Sequence, residues 1–247
     1  MSALPGPAAP RLYCEEPLAP GATVALSERA ARHVAALRLR TGDAVTLFGG
    51  DGHESAAVIT VQGRRGVHAS VRDRRAVDRE SPLGVHLAQG VCAGDRMDLV
   101  LQKATELGVA AIQPVLTARS VVRLSSERRE RREVHWQNVA IAACEQCGRN
   151  RVPPVAPSLR FDEYFAALPA AGTRILLAPD GAQTLRALAV APPVAVLVGP
   201  EGGLTAAERR IATAAGYAVV RFGPRVLRTE TAPLAALAAL QALFGDC

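Results

Sequence analysis

From residue 173 onward the chain alternates between two hydrophobic patterns. RILLAPD precedes a short helical stretch, VAVLVGPEGG precedes TAAERRIATAAG, and YAVVRFG precedes a last helix containing LAALAALQALF. Short unbroken apolar runs closed by Gly or Pro read as strands buried on both faces, and the longer 3.6-period stretches between them read as crossover helices. Few architectures accept that alternation; it predicts an α/β domain with a mostly parallel sheet. The pattern reaches back to about residue 84. GVHLAQGV reads as a strand, DRMDLVLQKATEL as a helix ending at Gly108, and AIQPVL as another strand. A long helix is predicted from about Ser126 to Cys147, and the α/β domain over 84–247.

Residues 11–75 follow a different rule. After the helical SERAARHVAAL, the segments AVTLF, SAAVITV and VHASV are short and separated by GGDG and QGRRG, which predicts a small β-barrel or sandwich. Residues 1–10 (MSALPGPAAP) read as a flexible tail and 76–83 as a linker. The opening residues show neither a basic nor a hydrophobic segment, and the longest apolar stretch, Pro233 to Phe244, is shorter than a bilayer span. A soluble, cytoplasmic protein is expected.

The 247 residues carry a net charge of +6, and every basic residue except Lys103 is arginine. From Arg119 to Arg151 eight arginines face Glu127, Glu130, Glu133 and Glu145. That local excess suits a polyanion. The five cysteines are odd in number and scattered, which argues against a disulfide scaffold. Cys144 and Cys147 form a CxxC, but no second ligand pair stands nearby, so both read as helix-packing residues and no metal is expected.

Two loops lie where parallel sheets bind ligands, beyond the carboxyl ends of strands. LVGPEGGL (197–204) is followed by Thr205 and Glu208, spaced as a capping box. Its glycines let bare backbone approach a flat ligand, yet it has neither the GxGxxG nor the GK[ST] spacing of phosphate loops. The second, RFGPRVLRTETAPL (221–234), concentrates Arg225, Arg228 and Glu230 beside the driest helix of the chain. Thr231 is placed to cap that helix, with Pro233 in its first turn. A helix apolar nearly all round needs cover on more than one side, and a homodimer interface is expected to supply it.

Four ordered blocks resemble the RsmE family. They are Gly94–Asp98 (GDRMD) with Gln102–Gly108 (QKATELG), Glu145–Pro153 (EQCGRNRVP), Gly199–Gly203 (GPEGG) and Gly223–Ala232 (GPRVLRTETA). Pro10–Tyr13, Arg38–Asp43 and Leu47–Phe48 are similar as well, so the resemblance runs from about residue 10 to the end. Pro233 departs from it, standing where a small non-proline residue is commoner. The resemblance implies a PUA-like β-barrel followed by a SPOUT α/β domain with a C-terminal trefoil knot, and a homodimer. It implies an S-adenosylmethionine-dependent methyltransferase acting on N3 of a uridine in 16S ribosomal RNA of the small subunit. It places the cofactor on Leu177, Pro179, Val198, Gly199, Pro200, Glu201, Gly202, Gly203, Phe222, Gly223, Leu227, Arg228, Thr229, Thr231 and Ala232.

Methylation of uracil N3 needs the N3 proton removed and the developing oxyanions stabilised. Arg225 and Arg228 are the candidates for charge, and Glu230 for orienting Arg228 rather than for taking the proton. RNA phosphates are expected to meet Arg11, Arg38, Arg40, Lys103, Arg149 and Arg151. For Lys103 an ion pair with Glu106 on the same helix is an equal alternative. Glu145 and Gln146 read either as substrate contacts or as helix-end caps, and Tyr13 as a packing residue. Two other readings stay open: methylation of another RNA position or of a ribose 2′-oxygen, and an inactive RNA-binding assembly factor.

Overall fold

The computed structural model describes residues 9–63, 66–120, 126–168 and 170–247, so residues 1–8 of the expected tail lie outside it. Its contacts divide the chain into two units, residues 1–79 with 144–152, and residues 80–143 with 153–247.

Period-two alternation builds the first unit. β1 (Arg11–Tyr13), β2 (Thr23–Leu26), β3 (Ala44–Phe48), β4 (His53–Gly63), β5 (Gly66–Val71) and β6 (Arg75–Ala76) form one curled sheet in the order β1-β3-β4-β5-β2, with β6 on β4. Val67, Ala69 and Val71 of β5 point inward while the residues between them stay partly exposed, as a half-buried strand requires. With Leu12, Val24, Leu47 and Ile59 they close the core over α1 (Glu28–Ala36), whose N-cap Ser27 accepts from Ala30 N.

The expected linker at 76–83 begins inside β6, and the units divide between Arg79 and Glu80. Sequence reading also missed that Cys144–Val152 belongs with the first unit. The reason is electrostatic. Glu145, 4% exposed at its side chain, accepts from Tyr13 N (2.9 Å) and from Arg29 Nη1 and Nη2 (3.0 and 2.9 Å), with His33 Nδ1 at 3.1 Å. Asn150 Nδ2 donates to Val77 O (2.9 Å) and Glu54 Oε2 (3.2 Å), and its Oδ1 accepts from Arg11. Glu145 is therefore neither a helix-end cap nor a substrate contact. Tyr13 packs edge-on to Phe48, as expected of a packing residue.

In the second unit β7 (Val85–Gly90), β8 (Ala111–Leu116), β9 (Leu159–Arg160), β10 (Thr173–Leu177), β11 (Gln183–Thr184), β12 (Val194–Val198) and β13 (Ala218–Arg221) form a sheet ordered β11-β13-β10-β12-β7-β8-β9. Every pairing is parallel. All five residues of central β12 are buried, which explains its unbroken VAVLV. The crossovers carry α2 (Asp95–Glu106), α3 (Ser126–Cys147), α4 (Phe161–Ala166) and α5 (Ala206–Ala214), and α6 (Thr231–Phe244) follows the last strand. The short helix expected after RILLAPD is β11 followed by a single 3-10 turn, Leu185–Ala187. No helix among the described residues is long and apolar enough to cross a membrane.

Candidate active site

Strand order places the site. The chain runs outward from β7 through β8 to β9, then returns on the far side of β12 to lay down β10 and β13. Ligands in open α/β sheets collect at the carboxyl ends of strands near such a reversal. A cavity of about 660 Å³ opens there, lined by Leu176–Pro179 at the end of β10, Val198–Leu204 at the end of β12 and Phe222 with Arg225–Glu230 after β13.

The glycine loop after β12 is held by its neighbours. Thr205 Oγ1 accepts from Glu208 N (3.2 Å) while Glu208 Oε2 accepts from Thr205 N (2.7 Å), the expected capping box, and Glu208 Oε1 also takes Ala118 N (2.8 Å). Glu201 Oε1 accepts from Ala93 N (2.9 Å) and Arg96 Nη1 (2.8 Å). Burial pushes the Glu201 carboxyl up, but these donors outweigh it and hold it below the usual range. Arg119 Nη1 donates to Gly202 O (2.8 Å). Arg96 on α2 and Arg119 after β8 thus brace the loop at two consecutive residues.

Backbone approaches explain two glycines. A Cβ at Gly199 would sit 3.0 Å from the Gly203 carbonyl carbon, and one at Gly90 would sit 2.6 Å from Pro200 N. Gly90→Ala is expected to displace the loop and destabilise the protein by about 1–3 kcal/mol, measured by thermal unfolding. An unchanged midpoint would show that the loop yields freely.

The bend after β13 is tied to the glycine loop by one hydroxyl. Thr229 Oγ1 donates to Gly199 O (2.7 Å) and accepts from Gln89 Nε2 (3.2 Å). Beside Thr229, Arg228 Nη1 stands 4.0 Å from Glu230 Oε1, with side chains 80% and 13% exposed. That separation is an ion pair without a hydrogen bond. Thr231 does not cap α6: Glu230 occupies the cap position with no side-chain bond, and Thr231 is the first helical residue. Pro233 falls in the first turn, where its missing N–H leaves no intrahelical bond unmade.

Of the expected cofactor residues, Leu177, Pro179, Val198, Gly199, Pro200, Glu201, Gly202, Gly203, Phe222, Leu227, Arg228, Thr229 and Ala232 line the one cavity, with Arg225 and Glu230. Gly223 and Thr231 are not among its lining residues; Gly223 makes the turn at φ 64°. Arg96, Arg119 and Arg209 also line it and were missed. All three are engaged, Arg96 with Glu201 and Arg119 with Gly202 O on the glycine loop, and Arg209 with Asp180 (2.8 Å).

The expected RNA contacts separate by exposure. Arg38, Arg40 and Arg151 are exposed. Lys103 Nζ pairs with Glu106 Oε1 at 2.8 Å, the helix alternative. Arg11 and Arg149 are corrections. Arg149 is 4% exposed. Arg11 donates to Glu54 Oε2 (2.8 Å) and Arg149 O (3.2 Å) and lies 4.8 Å over the Phe48 ring. A guanidinium so engaged is not offered to a phosphate. Among the described residues no group of His, Cys, Asp or Glu could hold a metal ion.

A family model described as an RNA methyltransferase domain matches residues 79–241. Ribosomal RNA small subunit methyltransferase E of Mycobacterium tuberculosis is 35% identical over 217 residues, 83% of this chain and 80% of that protein. The structure of a putative methyltransferase from Legionella pneumophila with bound cofactor SAM superposes with a TM-score of 0.93 at 39% identity, covering 97% of this chain and 99% of that one. Ribosomal RNA small subunit methyltransferase E from Neisseria gonorrhoeae, bound to S-adenosyl methionine, gives 0.89 at 42% identity over 96% and 99%. With a curled PUA-like sheet, a parallel sheet of the SPOUT knot type and ordered motif blocks along the whole chain, the protein belongs to the RsmE family of SPOUT methyltransferases.

Proposed function

We propose that this chain transfers the methyl group of S-adenosylmethionine to N3 of a uracil in 16S ribosomal RNA. One observation carries the reading: three loops from three parallel strands meet in a single cavity, with Arg228 and Glu230 on its wall. The residues fit the cofactor. The volume lies in the ordinary range for a small-molecule site, apolar Leu177, Val198, Phe222 and Leu227 offer cover for a flat base, and the glycine loop brings backbone close. When bound, the cofactor supplies an electrophilic methyl group.

The protein's share is electrostatic. Loss of the uracil N3 proton to solvent water spreads negative charge over two carbonyl oxygens, and Arg228, with Arg225 on the same bend, meets that charge. Glu230 steers Arg228 by attraction across 4.0 Å rather than by a hydrogen bond. Exposed Arg38, Arg40 and Arg151 are the remaining candidates for RNA phosphates.

A homodimer accompanies this reading. α6 buries Pro233, Ala236, Leu237, Leu240 and Gln241 on one face and leaves Leu243 and Phe244 45% and 40% exposed. A second copy would cover the remainder, and sedimentation as a monomer at micromolar concentration would count against it. The function is tested with labelled S-adenosylmethionine, purified small subunits and free 16S rRNA lacking the modification. Label at a uracil N3 is expected. Label on a ribose would redirect the chemistry, and cofactor binding without transfer would favour the inactive assembly factor.

A further inference from the structure

Gln89 is a polar residue where the sheet calls for an apolar one. It lies near the end of β7, in register with Val198 of β12, and is fully buried, while Val85, Leu87 and Ala88 of the same strand are apolar core. Its amide is half used. Nε2 donates to Gly90 O (3.0 Å) and to Thr229 Oγ1 (3.2 Å), whereas Oε1 is buried with no hydrogen-bond partner among the described residues. A buried amide left half-satisfied is a poor packing choice, so the donor side must be what the position uses.

The use is visible in the hydroxyl it meets. Thr229 has one proton to give, and Gly199 O lies 2.7 Å away to take it. With the Gln89 N–H occupying a lone pair of the hydroxyl oxygen, the proton is directed to Gly199. The chain Gln89–Thr229–Gly199 thereby joins the end of β7, the arginine bend and the glycine loop. Arg228 and Glu230 flank Thr229 in sequence, so the same bond sets their place on the cavity wall. Gln89 itself does not line the cavity.

We infer that Gln89 is a positioning residue for methyl transfer, acting through the Thr229 hydroxyl to lock the 222–232 bend onto the glycine loop. This rests on the cavity being the cofactor site. The test measures S-adenosylmethionine affinity by calorimetry, single-turnover methyl transfer and thermal midpoint for Gln89→Leu, Thr229→Val and the double variant. Gln89→Leu is expected to lower transfer roughly tenfold, equivalent to about 1.4 kcal/mol, with no fall in midpoint. In the Thr229→Val background it is expected to add nothing, because the group it acts through is gone. Should Gln89→Leu fail to fold, the near-isosteric Gln89→Met carries the same comparison. An undiminished Gln89 effect in the Thr229→Val background overturns the inference, as does a loss that merely follows the midpoint. Wild-type protein that binds no S-adenosylmethionine overturns the cavity reading as well, which separates the two failures.

Discussion

Replacing Arg228 by alanine is expected to lower methyl transfer by about 10²–10³-fold, the effect of removing one preorganised group that meets developing charge. The guanidinium lines the cavity, yet its side chain is 80% exposed and its nearest carboxylate stands 4.0 Å away. It therefore carries little of the fold, and truncation should leave the thermal midpoint nearly unchanged. Cofactor affinity should also hold, because the glycine loop is fixed by Glu208, Arg96 and Arg119 rather than by Arg228. Arg228→Lys keeps the charge and loses the planar fork, so it should fall between wild type and alanine. Single-turnover transfer and calorimetry on the same samples decide the matter. Equal losses in rate and cofactor affinity would make Arg228 a binding residue and sink the assignment.

What the sequence made legible was local. Glycine, proline and capping signals act over a few residues, so the two loops, the Thr205–Glu208 box and the helix end at Gly108 could be read directly. Arg96, Arg119 and Arg209 were not legible as cavity residues, because each reaches it from a different crossover and no short motif spans them. The EQCGRNRVP block was misread for a subtler reason. Arginine, glutamate and asparagine compose an RNA-facing surface and a buried polar network equally well, and only partners 73 to 139 residues away in sequence decide between them. Glu145, Arg149 and Asn150 belong to the network; Arg151, one residue further, is exposed. The Thr231 misplacement is smaller, a one-residue shift of the helix start of the kind that local signals do not resolve.

That network gives the second large expectation. Glu54 is 4% exposed and meets three guanidinium groups, Arg11 at 2.8 Å, Arg75 at 3.0 Å and Arg79 at 3.1 Å, with Asn150 donating at 3.2 Å. Burial alone would raise its pKa, but the bonds from Arg11, Arg79 and Asn150 win and bring it to about 2. Glu54→Ala would leave three like charges facing one another without their shared anion. It should destabilise the fold by about 3–5 kcal/mol. At roughly 2–4 °C per kcal/mol for a chain of this size, the midpoint should fall by roughly 10 °C. The sign of the pH dependence follows from the depressed pKa. The carboxylate contributes fully above the ordinary value of 4.5, and its contribution is lost as pH falls from there toward about 2. The amplitude is about 3 kcal/mol by proton linkage. Thermal unfolding of wild type should therefore weaken steeply across that window, and Glu54→Gln, already lower at neutral pH, should weaken less. Parallel curves would show that acid sensitivity arises elsewhere and that the three arginines are held by something other than Glu54.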